Sequence, residues 1–161
     1  MEPIPAMTIP PAREGLERGF DLFNRSHFFD AHEVLEDVWR ALPRDRPSRR
    51  RFRLHVQGMI QLAVAFHHLS TGNRVGARSV LARAMRNLHG ADSSFPDLDF
   101  DRLRAELEVW RQYLDDSEAE LDGRHNIRHD GRNVARKAAR KVARTIRRQP
   151  APALPKILPR R

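Results

Sequence analysis

The sequence predicts an all-α protein: a compact antiparallel bundle of about five helices built from helix-turn-helix pairs, plus a basic C-terminal helix or tail. Three observations carry that expectation. Apolar residues recur at helical spacing in five successive stretches. The connections between them are short and carry Gly, Asn, Ser or Pro. After about residue 120 the apolar stripe gives way to a ridge of arginines. The resulting division is an extended lead-in over 1–11, a helical bundle domain over 12–120 and a basic extension over 121–161.

Residues 1–11 hold Pro3, Pro5, Pro10 and Pro11 and show no periodicity, which reads as extended chain. Helix one is expected from about Ala12 to Arg25, with Leu16, Phe20 and Phe23 on one face. Asn24, Arg25 and Ser26 make a turn. Helix two runs from about Phe28 to Leu42 and stops at Pro43. Arg44 to Arg53 contains six arginines and Pro47 and reads as a basic loop. Helix three, about Phe52 to Ser70, is the most apolar stretch and therefore the expected centre of the bundle. Gly72 suits a left-handed position at its end. Helix four, about Arg74 to His89, carries Ala77, Val80, Leu81, Ala84, Met85 and Leu88. Gly90 to Pro96 is a loop. Helix five, about Asp97 to Leu114 or a little beyond, has Asp97 or Asp99 as its cap and places Phe100, Leu103, Leu107, Trp110 and Leu114 on one face.

Two helix pairs resemble the start of a tetratricopeptide-type array, but the repeat consensus is absent and two pairs are few for a solenoid. A closed bundle is the better expectation.

Composition narrows the function classes. The chain has no cysteine, which excludes disulfides and thiolate metal sites. No apolar run approaches the roughly 18 residues of a membrane span, and 1–13 lacks a signal pattern, so a cytoplasmic location is expected. Charge is segregated. Residues 124–161 hold 13 Lys/Arg and one acid, Asp130, for a net of +12, whereas the remainder carries 17 basic and 20 acidic residues, for −3. In the tail Arg124, Arg128, Arg132, Arg136, Arg140, Arg144 and Arg148 fall every fourth residue, a spacing that winds round a helix as a ridge. Arg132, Arg136, Arg140, Arg144 and Arg148 are the candidate phosphate-binding residues, for a nucleic acid or other polyanion contacted through 124–161 without sequence preference. An anionic membrane surface is a second target of the same charge. The alternative is a solvated extension, or one folded back on the acidic stretch Asp115 to Asp122.

The most distinctive segment is FFDAHEVLEDVW, residues 28–39. On a helical wheel at about 100° per residue, Trp39 falls about 20° and Glu36 about 40° from His32, on opposite sides of it. His32 and Glu36 are therefore expected inside, among Phe28, Phe29, Leu35 and Trp39, with Glu33 at the rim and Asp37 in water. On helix three Gln57, Gln61 and His68 share one line. The candidate site is the buried cluster His32, Glu33, Glu36, Trp39, Gln57, Gln61 and His68, formed where that line meets helix two.

Three chemistries compete for it. The first is a satisfied hydrogen-bond network that sets helix register. The second is a divalent metal site with His32, Glu36 and His68 as ligands; neither a second histidine in place of Glu36 nor the carboxylate set of a di-iron bundle is present. The third is acid–base catalysis centred on His32 and Glu36, whose reaction the sequence does not name. Enzyme or not is left open at this point. The main expectation is a scaffold or interaction module, with a metal-dependent or acid–base enzyme as the alternative. A patch on helix five would be the surface for pairing with a second copy.

Phe29, Ala31, His32, Glu33, Glu36 and Trp39, then Gly58, Gln61 and Ala63, then Gly72, Asn73, Gly76 and Ala77 follow a pattern of an aromatic residue, AHExxExxW, GxxQxA and GNxxGA. In these motifs the chain resembles the bacterial helical proteins of domain of unknown function family 309, over about Gly15 to Leu88. The resemblance implies an all-helical fold with paired helices. It implies no activity, and the basic tail lies outside it.

Overall fold

The computed structural model describes residues 10–126 and 150–160. Five helices follow in order: α1 (Pro10–Asn24), α2 (Phe28–Ala41), α3 (Pro47–Ser70), α4 (Arg74–Asn87) and α5 (Phe100–Asn126), with a 3-10 turn at Ala91–Ser93 between the last two. The fold is all-α. Each helix packs on its neighbours in the chain, as short connections require. Among the described residues no helix is long and apolar enough to cross a membrane.

Helix ends follow local chemistry, sometimes at other residues than the sequence suggests. Helix α1 starts at Pro10, because a first-turn N–H has no helical partner and proline forfeits nothing there. Helix α3 likewise starts at Pro47, five residues before the expected Phe52, so most of the presumed basic loop is helical. Asn73 caps α4 by accepting from Gly76 N at 2.8 Å, after Gly72 has turned the chain at φ 81°. Asp99, not Asp97, caps α5, accepting from Arg102 N at 3.0 Å. Helix α5 continues well past Leu114, to Asn126.

Aromatic rings tie the layers together. Phe23, Phe28 and Phe66 meet with ring centroids 5.2–5.8 Å apart, and Phe66 meets Trp110 edge-on at 5.3 Å. Phe95, in the connection before α5, packs against Phe20, Phe52 and Phe100. That loop is thus part of the core.

Glycines set the closest helix approach. A Cβ on Gly19 would lie 2.6 Å from Leu35 Cγ, and one on Gly15 would meet Val38. Gly19→Ala is therefore expected to destabilise by about 1–2 kcal/mol in urea unfolding, because overpacking against the buried Leu35 outweighs the ~1 kcal/mol that alanine gains in helix propensity. A neutral or stabilised variant would mean that α1 shifts freely on α2.

Residues 150–160 form an extended strap across the bundle. Ile157 is 4 % exposed and Pro155 is buried. Asn24, at the end of α1, exchanges two hydrogen bonds with the Ile157 backbone, Nδ2 to O and N to Oδ1, each 2.8 Å. Lys156 donates from its backbone N to Glu106 (3.0 Å) and from Nζ to the Asn24 carbonyl. Trp110 Nε1 donates to Ala153 O at 2.9 Å. Asp99 N donates to Leu158 O and Arg160 N to Asp97 O, at 2.9 and 2.8 Å, around an isolated antiparallel bridge of Leu98 with Pro159. The sequence shows prolines and small residues here but not the docking. Arg132, Arg136, Arg140, Arg144 and Arg148 lie outside the described residues.

Candidate functional site

The inward face of α2 is made by Phe28, Ala31, Leu35 and Val38. This face is centred about 80° round the helix from His32. His32 and Glu36 are not buried: their side chains are 26 % and 33 % exposed. The expected direction was set by the largest side chains, Phe29 and Trp39. The packing instead follows Ala31, Leu35 and Val38, where the small residues of α1 admit close contact. Phe29 is left 50 % exposed.

The polar residues form a rib along the flank of α2. His32 Nε2 lies 3.4 Å from Glu36, and Glu36 pairs with Arg40 at 2.9 Å. Arg40 also reaches Asp37 at 3.5 Å. Glu33 is exposed. These are helix-surface pairs at i, i+3 and i, i+4, each worth a few tenths of a kcal/mol, about 0.3–0.5.

The predicted line on α3 does not meet this rib. Gln61 accepts from Asn87 Nδ2 at 2.9 Å and so faces α4. His68 Nδ1 lies 3.3 Å from Asn73 Nδ2, at the α3–α4 turn. Gln57 is half-buried. From α3 it is His67 whose ring approaches Phe29, at 5.5 Å, and Phe29 lies 5.8 Å from His32. The proposed set of His32, Glu36 and His68 is thus not gathered at one point. Among the described residues no three His, Asp or Glu side chains come together in a way that would hold a metal ion.

Among the described residues the buried polar groups are Arg53, His55 and Ser94. Arg53, 6 % exposed, closes the C-terminus of α2: Nη1 donates to Leu42 O at 2.7 Å and to Trp39 O. Trp39 Nε1 returns a hydrogen bond to Arg53 O at 3.1 Å, and the guanidinium lies 4.1 Å from the centre of the Trp39 ring. Trp39 is thus a partner of a helix cap. Burial, then the neighbouring Arg44, pushes the Arg53 pKa below that of a free guanidinium.

His55 Nδ1 is 2.5 Å from Ser94 Oγ, with both residues 2 % exposed. The pair ties α3 to the turn that follows α4. Burial lowers the His55 pKa, opposed in part by a hydrogen bond to the His89 backbone. The folded state therefore favours neutral His55, and on acidification the unfolded chain takes up this proton first. Its contribution to stability is fully present above about pH 6.5 and is lost as pH falls below it. Melting curves from pH 8 to 5 should fall more steeply for the parent than for His55→Gln; equal slopes would contradict the assignment.

A sequence signal for His55 exists: Phe52, His55, Met59, Leu62 and Phe66 follow one inward line of α3, and all are buried. For Arg53 the signal was masked by its neighbours, because it closes a run of arginines that reads as loop.

Comparison with known proteins agrees with the helical motifs. The chain is 36 % identical over 77 residues to the "Uncharacterized protein YpuF" of Bacillus subtilis (strain 168), covering 48 % of this chain and 41 % of that one. It is 29 % identical over 86 residues to an "Uncharacterized protein" of Aquifex aeolicus (strain VF5), covering 53 % and 24 %. The chain thus spans less than half the length of either relative. No solved structure matches it. Residues 16–80, which run from α1 into α4 and include the AHExxExxW helix and its Arg53 cap, match the family described as Domain of unknown function (DUF309).

Proposed function

We propose that the protein is a helical interaction module that binds nucleic acid through its basic segment, with the bundle as the scaffold that presents it. The observation that carries this reading is charge segregation: +12 over 124–161 against −3 elsewhere, within a chain of net charge +9. Arginine at every fourth position would meet phosphates along a backbone without reading bases. The polar rib of α2 serves helix-surface pairing, and no observation favours an acid–base reaction at His32 and Glu36. The cysteine-free sequence fits a cytoplasmic setting.

The test is fluorescence anisotropy with a labelled DNA duplex across a salt series. It compares the full chain with a variant carrying Arg132, Arg136, Arg140, Arg144 and Arg148 all as Gln. Each lost phosphate contact should lower the slope of log K against log salt by about 0.9. Five contacts give a large fall in slope and at least tenfold weaker binding at ~0.1 M salt. Equal affinity and slope in the two proteins would remove the basic segment from the function.

A further inference from the structure

The bundle carries a second concentration of positive charge, at the corner where α2 ends and α3 begins. From Arg40 to Arg53 there are seven arginines (Arg40, Arg44, Arg46, Arg49, Arg50, Arg51 and Arg53) and a single acid, Asp45. Their partners divide them. Arg40 is held by Glu36 and Asp37, Arg49 by Asp45 at 2.8 Å, and Arg53 is buried as the cap of α2. Arg46 approaches Asp45 only at 4.0 Å. Arg44, Arg50 and Arg51 are exposed and pair with no carboxylate among the described residues.

Two of these three are held in place. The Arg44 guanidinium lies 5.8 Å from the centre of the Trp39 ring. Arg50 Nε donates to Arg44 O at 3.3 Å, which leaves its two terminal nitrogens free to donate outward. The corner is therefore a cationic surface partly ordered before any ligand arrives, and less side-chain freedom is lost on binding. Guanidinium groups match phosphate oxygens with paired donors.

We propose that Arg44, Arg50 and Arg51 form a phosphate-contact surface for the backbone of a nucleic acid duplex, separate from the basic segment and built on the bundle itself. Base stacking has no platform here, because Trp39 is half-buried and already carries two guanidinium groups. A lipid surface fits less well. An interfacial helix needs an apolar face to insert, and α3 turns its apolar face into the core, with Leu54 as its one large exposed hydrophobic residue. The inference shares only its ligand class with the function proposed above.

The experiment uses the full chain, the same labelled DNA duplex and the same salt series, with the triple variant R44Q/R50Q/R51Q. Loss of three phosphate contacts should reduce the salt slope by about two to three and weaken binding at least tenfold at ~0.1 M salt. A slope and affinity equal to the parent's overturn the proposal, as does a parent that does not bind the duplex. Since Arg44 rests on Trp39, R50E/R51E is measured alongside with that contact intact. It should weaken binding further by repulsion, and parental binding in it overturns the proposal whatever the triple variant does. Vesicles of phosphatidylglycerol supply the competing surface: a corner variant that loses vesicle binding but keeps its DNA slope also overturns the proposal. The five-arginine tail variant separates the two readings. If it binds like the parent while the corner variants lose slope, the tail reading fails and the corner stands.

Discussion

Arg53→Met is expected to lower the unfolding free energy by about 2–4 kcal/mol, measured by urea denaturation of the full chain. Methionine keeps much of the apolar stem but donates nothing. The carbonyls of Trp39 and Leu42, both served by Arg53 Nη1, would then lack that donor at the end of α2. A buried acceptor deprived of its donor costs about 1–3 kcal/mol, and the contact between guanidinium and Trp39 is lost as well. Arg53→Lys should recover only part of the loss, since one ammonium cannot reproduce the planar fork and its stacking. A change below about 0.5 kcal/mol for Arg53→Met would show that water replaces the cap at little cost.

Ile157→Asp should release the strap. Burial of an isoleucine contributes about 2–3 kcal/mol, and a carboxylate in its place would lose that burial and would itself have to be desolvated. The cost to the bundle is limited by the docking energy of the strap, because residues 150–160 can detach while the helices stay folded. The expected signature is therefore local: faster proteolytic removal of the C-terminus and a red shift of Trp110 emission as its indole loses Ala153 O, best read in a Trp39→Phe background. Asn24→Leu, which removes both hydrogen bonds to Ile157, should give the same signature more weakly. Unchanged proteolysis and emission in both variants would mean that the strap does not hold the C-terminus in solution.

Much of the fold was legible in the sequence because helices follow a local rule. Spacing of apolar residues located all five, and cap and turn residues located several ends: Asn73 before α4, Gly72 at φ 81° and Asp99 before α5. The wheel failed for α2, and it failed for a physical reason. It weights residues by their own hydrophobicity, whereas the direction a helix faces depends on where its neighbour can approach. Gly15 and Gly19 on α1 admit Val38 and Leu35, so the inward face turns toward them and away from Phe29 and Trp39. His32 and Glu36 then stand at the margin, and Gln61 bonds across to α4.

The sequence by itself determined the helical class, the segregation of charge and the motifs of the segment that matches DUF309, since each of these depends on residue type and near-neighbour spacing. Only the tertiary structure decided which polar groups are buried and what they do. Arg53 on α3 meets Trp39 and Leu42 at the end of α2 over 14 and 11 residues, His55 meets Ser94 over 39, and Asn24 meets Ile157 over 133. Such contacts link segments distant in sequence, and no local period encodes which donor will find which acceptor.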